Sequence, residues 1–77
     1  MIYKIALYGR LRQAGNVIVL EAPENITAQG LLKALADKLG PKATLLHGCV
    51  LATDFDILPG NARAPDRLSA LPPVCGG

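Results

Sequence analysis

Residues 23–42 read PENITAQGLLKALADKLGPK, and this stretch carries the one clear helical pattern of the chain. Ala28, Leu31, Leu32, Leu35 and Leu39 recur at the spacing that aligns side chains along one stripe of an α-helix, while Lys33, Asp37 and Lys38 lie on or beside the other face. Thr27 is suited to cap the N-terminus, Ile26 to pack as the apolar residue before the cap, and Gly40-Pro41 to close the C-terminus. A helix with a single apolar stripe needs a surface to lie on. Gly30 interrupts it at a cost of up to about 1 kcal/mol against alanine, which a close helix-to-sheet contact explains.

The flanking segments supply that surface. Upstream, IYKIALY at residues 2–8 alternates Tyr3, Ile5 and Leu7 against Ile2, Lys4, Ala6 and Tyr8, the period of two of a half-buried strand. Residues 9–16, GRLRQAGN, are punctuated by glycine and asparagine and read as a connection, and VIVLEA at 17–22 reads as a second strand forming an antiparallel hairpin with the first. Downstream, CVLAT at 49–53 and FDIL at 55–58 predict brief strands, Pro59-Gly60-Asn61 a turn, and RLSAL at 67–71 the last strand. The order strand, strand, helix, strand, short strand, strand predicts an α+β domain: a mixed sheet of about four to five strands packed on one main helix.

Composition bounds the function. A chain of 77 residues that is 51% hydrophobic and 18% charged is a single folding domain, burying only about 60% of the surface its unfolded form exposes. The eight Lys and Arg residues, for a net charge of +2, form no run, and with only Tyr3, Tyr8 and Phe55 as aromatics a nucleic-acid surface is not expected. No apolar stretch approaches the ~20 residues that span a bilayer, and the N-terminus lacks the order of a signal peptide, so no membrane association and a cytoplasmic location are expected. Cys49, Cys75 and the single His47 cannot supply four-ligand zinc spacing, so no metal is expected. No Ser/His/Asp set, paired carboxylates or phosphate-cradling glycine loop stands at usable spacing, which argues against an independent enzyme; Asp54 and Asp56 read as turn residues.

The final residues, LPPVCGG at 71–77, are the unusual part. Pro72-Pro73 ends sheet pairing and holds the chain extended as it leaves the last strand, Val74 and Cys75 offer short apolar contacts, and Gly76-Gly77 make a thread. The expected organisation is a domain over 1–71 and a protruding tail over 72–77.

The segment DRLSALPPVCGG at 66–77, with KIALYGRLRQAGN at 4–16, resembles the ubiquitin-like (β-grasp) sulfur carriers of the MoaD/ThiS type, and within them the small subunits of molybdopterin synthase. The resemblance covers about a third of the chain, the order of elements covering the rest. It departs at ARAPDR, 62–67, which keeps only Asp66 of an Asp-Gly-Asp turn common in the family, and in the middle hairpin, which lacks the usual asparagine-containing strand and turn. Carriers of the thiamine pathway, ubiquitin-like modifiers of lysine and a plain interaction module therefore stay open beside the molybdopterin reading.

The resemblance implies a non-catalytic carrier. A ubiquitin-activating-type adenylyltransferase would use ATP to form an acyl-adenylate on the Gly77 carboxylate, and a persulfide-bearing sulfur donor would displace AMP to leave a thiocarboxylate. The tail, from Pro72, Pro73, Val74 and Cys75 to Gly76 and Gly77, would then thread into the large subunit of molybdopterin synthase and give its sulfur to a pterin precursor. The carrier itself would bind no cofactor. The resemblance also implies that Tyr8 and Leu71 contact the large subunit; by its residue pattern alone, Tyr8 either packs under a loop or lies exposed. Arg10, Arg12 and Arg67 read either as solvated charge or as a draw for an acidic partner surface. Cys75 is either a tolerated small residue or a nucleophile beside the reacting terminus. Cys49 reads as buried core and His47 as surface.

Overall fold

A computed structural model describes residues 1–72 of the chain. Four strands, β1 (Ile2–Leu7), β2 (Val17–Glu21), β3 (Val50–Ala52) and β4 (Arg67–Leu71), and one α-helix, α1 (Ala28–Leu39), make up its regular structure, with 3-10 helices at Gly9–Ala14 and Gly40–Leu46. The sheet order is β2-β1-β4-β3. β1 and β2 form the antiparallel hairpin that alternation predicts, with Tyr3 opposite Leu20 and Ile5 opposite Ile18. The two central strands run parallel, Lys4 beside Arg67 and Leu7 beside Ala70, so the chain's first and last strands close the middle of the sheet. β3 adds antiparallel to the outside of β4.

Odd-numbered residues of β1 face α1. Tyr3 and Ile5 have no exposed surface, and Leu7, Leu20, Leu51, Leu68 and Ala70 join them against Ala28, Leu31 and Leu35 of the helix. Leu32 and Leu39 are half-buried at the margin of the stripe. The Tyr3 ring is fully enclosed because its hydroxyl reaches out of the core and donates to the Pro23 carbonyl at 2.9 Å, which removes the cost of burying an unpaired polar group.

The helix start is capped as its sequence predicts, and by more than its own residues. Thr27 Oγ1 accepts from the Gly30 N–H at 3.1 Å. The Ala28 and Gln29 N–H groups, which have no intrahelical acceptor, donate to Ala62 O (2.7 Å) and Gly60 O (2.9 Å). Residues 59–64 are thereby sewn to the helix, with the predicted turn closed by Ala62 N–H donating to Pro59 O at 2.9 Å.

Four details depart from the sequence expectations. FDIL is not a strand: Ile57 makes a single bridge to Ala52, and the Thr53 hydroxyl, accepting from Phe55 and Asp56 N–H groups, holds 53–56 in a tight turn instead. Residues 9–16 are not an irregular connection but contain a 3-10 helix that buries Leu11. Gly40, at φ 56°, ends α1 as predicted, yet Gly40-Pro41 does not end helical structure, since the second 3-10 helix, Gly40–Leu46, follows at once with Pro41 in its first turn. Gly30 does not face the sheet: a Cβ there would lie 2.9 Å from Cγ1 of Ile26, so the apolar residue before the cap occupies the space a side chain would need.

Candidate functional site

Every inward residue of β1 leaves its neighbours pointing outward, and among the described residues no helix covers that second face. Ile2, Lys4 and Ala6 of β1 stand beside Glu21, Val19 and Val17 of β2, and Lys4 and Ala6 stand beside Arg67 and Ser69 of β4. The exposed large apolar side chains gather here. Ile2, Val17 and Val19 are about half exposed on the strands, Phe55 is 92% exposed at the tip of the Thr53–Asp56 turn, and Ile57 follows it at 62%. Phe55 lines a shallow groove of about 730 Å³ together with Tyr8, Val17 and the small residues Ala6 and Ser69. Lys4 and Arg67, adjacent in register, bring two positive charges to it. Contiguous apolar surface around such a groove is the usual form of an association site.

Tyr8 is exposed at 43%, with the Arg12 guanidinium 5.9 Å from its ring centroid, a cation–π contact that braces the ring at the surface. Leu71 is half-buried at the end of β4, opposite Val50. Both residues lie one step past the paired Leu7 and Ala70, at the same end of the sheet. Pro72 packs on Gly9 there: a Cβ on Gly9 would meet Pro72 Cγ at 3.0 Å, and Gly9 takes φ 59°, where side chains are rarely tolerated. Tyr8, Leu71 and Pro72 thus converge where the described chain ends. The positions read as tail, Pro73, Val74, Cys75, Gly76 and Gly77, lie outside the described residues.

Other sequence candidates stand apart. Cys49 is buried; its thiol donates to Leu45 O at 3.3 Å, and burial pushes its pKa up against a smaller opposing pull from Arg10. His47 is exposed. Among the described residues no three His, Cys, Asp or Glu side chains converge in a way that would hold a metal, and no helix is long and apolar enough to cross a membrane. Arg10, Arg12 and Arg67 are all exposed, but only Arg67 lines the groove. Sequence reasoning missed Phe55, Ile57, Val17 and Val19. The signal present was Asp54 and Asp56 on either side of Phe55, a pattern that suits an apolar residue at a turn tip better than a strand interior.

No protein-family model matches the chain, and no curated protein matches it in sequence. Solved structures do match in three dimensions. SAMP1 from Haloferax volcanii superposes with a TM-score of 0.80 at 15% identity, covering 100% of both chains. A chain of the complex of subunits 1 and 2 of molybdopterin-converting factor from Helicobacter pylori superposes with a TM-score of 0.66 at 22% identity, again covering 100% of both chains. At such identities the likeness speaks for the fold: with one α-helix on a mixed sheet of order β2-β1-β4-β3, the described residues have the ubiquitin-like β-grasp fold.

Proposed function

We propose that the protein is a non-catalytic sulfur carrier of the MoaD/ThiS type, acting as the small subunit of a molybdopterin synthase in the cytoplasm. The observation that carries this reading is the convergence of Tyr8, Leu71 and Pro72 at one end of an apolar sheet face, where the sequence after β4 is PPVCGG. Support also comes from the fold shared with a chain of the molybdopterin-converting factor complex.

A carboxylate is a poor electrophile, because its charge repels nucleophiles and oxide is a bad leaving group. An adenylyltransferase of the ubiquitin-activating type therefore joins the Gly77 carboxylate to the α-phosphate of ATP and releases pyrophosphate. Sulfur from a persulfide-bearing donor then attacks the acyl carbon and expels AMP; a thiol reduces the resulting acyl disulfide, leaving the thiocarboxylate. The large synthase subunit docks on the groove lined by Phe55 and on Tyr8 and Leu71, and receives the tail from Pro72 to Gly77. Glycine at 76 and 77 lets the tail pass a channel that a Cβ would obstruct. The carrier holds the reacting atom in place, and proximity of that kind is worth several kcal/mol.

Intact-mass measurement after incubation with the adenylyltransferase, ATP and sulfide tests the reading. A gain equal to the exchange of one oxygen for sulfur, mapped to Gly77 and absent without ATP, is expected; Gly77→Ala should abolish it with the fold intact. No gain with a demonstrably active enzyme would remove the carrier reading. Supplying the charged protein with either the large synthase subunit and pterin precursor or a thiazole-forming system then distinguishes molybdopterin from thiamine as destination.

A further inference from the structure

The two edges of the sheet are treated differently. Beyond β3, residues 53–58 fold back along the strand: Leu58 N–H donates to Leu51 O at 2.8 Å, Thr53 N–H to Asp56 O at 2.8 Å, and Ile57 bridges to Ala52. That edge is covered. Beyond β2 no strand follows among the described residues.

The hydrogen-bond phase of the hairpin identifies which groups are left open. Leu7 N–H donates to Asn16 O and Ala22 N–H to Met1 O. Pairs in an antiparallel ladder alternate between bonded and non-bonded, so Ile18 and Leu20 also turn their backbone groups toward β1, and Val17, Val19 and Glu21 turn theirs outward. The same three residues are exposed, and VIVLE contains none of the lysine, proline or bulge with which sheets ordinarily protect an edge.

We propose that this edge pairs with the β2 edge of a second copy, antiparallel and centred on Val19, to give a continuous eight-stranded sheet. In that register Val19 lies opposite its symmetry mate and Val17 opposite the second copy's Glu21. All outward N–H and C=O groups of the three residues are then bonded, and no like charges face each other. Sliding one copy by two residues sets Val17 opposite the second copy's Pro23, which has no N–H to give, in one direction, and in the other sets Glu21 opposite Gly15, outside the strand, so the register that pairs all three residues is the favoured one. β1 separates the seam from β4, and the end of β4 stays free in both copies. A five-residue strand pair is small, so the dimer is weak and concentration-dependent. This inference is independent of the sulfur-carrier reading.

Sedimentation of the full chain under reducing conditions from about 10 μM to about 1 mM, with amide exchange at both ends of that range, tests it. The expected result is a shift toward twice the monomer mass together with slowed exchange at Val17, Val19 and Glu21. Val19→Lys sets like charges against each other across the seam and should weaken association roughly tenfold or more, whereas Val17→Lys sets a lysine opposite the partner copy's Glu21 and should strengthen it, a gain that salt removes. Both side chains point to solvent, so the variants should keep the wild-type thermal midpoint at low concentration. A monomer throughout the range, a dimer without protection at these three amides, or equal effects of the two lysines would overturn the proposal.

Discussion

Ile5 and Ala6 are neighbours in one strand and belong to different parts of the protein's physics. Ile5 has no exposed surface and packs with Tyr3, Leu31, Leu35 and Leu68, while Ala6 helps line a groove open to solvent together with a phenylalanine that is 92% exposed. The helix closes one face of the sheet. On the other, small residues are flanked by Ile2, Tyr8, Val17, Val19 and Ile57, large apolar side chains whose burial requires another molecule. In so short a chain the residues available for a core are few, and placing this many large apolar side chains outside it is costly unless association uses them.

The contrast makes its largest prediction as a pair of substitutions. Ile5→Ala should cost about 2–5 kcal/mol, a large share of the roughly 4–12 kcal/mol that a domain of this length possesses, because it opens a cavity where the strand meets the helix. Phe55→Ala should change stability by less than about 0.5 kcal/mol yet weaken docking of the proposed large subunit by about tenfold or more. Urea denaturation and a binding titration read the two effects. Equal losses of stability would erase the distinction between the faces, and unchanged binding by Phe55→Ala would move the docking surface elsewhere.

The closed face was legible in the sequence to a degree that the open one was not. Alternation in IYKIALY assigned Tyr3, Ile5 and Leu7 to one side, and the helical stripe assigned Leu31 and Leu35 to meet them, since both signals record which side chains avoid water. Alternation does not say which strands pair. The parallel join of Lys4 to Arg67 links residues far apart in sequence, and it places Tyr8 and Leu71 at a common end of the sheet. Phe55 reads as part of a strand because phenylalanine favours strands; the Thr53 hydroxyl overrides that preference by bonding the backbone of the next residues into a turn. The second 3-10 helix was likewise hidden behind Gly40-Pro41, which ends an α-helix but permits a tighter one to follow.

A smaller effect tests how tightly the closed face is set at the helix start. Gly30→Ala should recover up to about 1 kcal/mol of helix propensity, but the new Cβ lies 2.9 Å from Cγ1 of Ile26, a methylene bonded to the β-branch point rather than the far end of a flexible side chain. No net stabilisation is expected in the native background. In an Ile26→Ala background the same substitution should become stabilising by about 0.5–1 kcal/mol, measured as a shift in denaturation midpoint. A full gain in the native background would mean that Ile26 moves freely and that the cap region is looser than its packing implies.

The smallest effect lies at Cys49, where β3 begins and the closed face meets the second 3-10 helix. Burial raises the pKa of its thiol from the ordinary 9.0, the Arg10 charge opposing this only in part. The folded chain therefore keeps a proton that the unfolded chain loses first, and between the two pKa values the native state binds more protons. Stability from this source is fully present below about pH 9 and is lost as the pH rises through the folded value. Cys49→Ser retains a donor for the Leu45 carbonyl but does not ionise in this range, so its denaturation midpoint should fall less steeply above pH 9 than that of the wild type. Other groups titrate alike in both proteins, and the difference between the two curves isolates the thiol. Parallel curves from pH 8 to pH 10.5 would show that water reaches Cys49 in the native state, and the closed face would then have a leak at the start of β3.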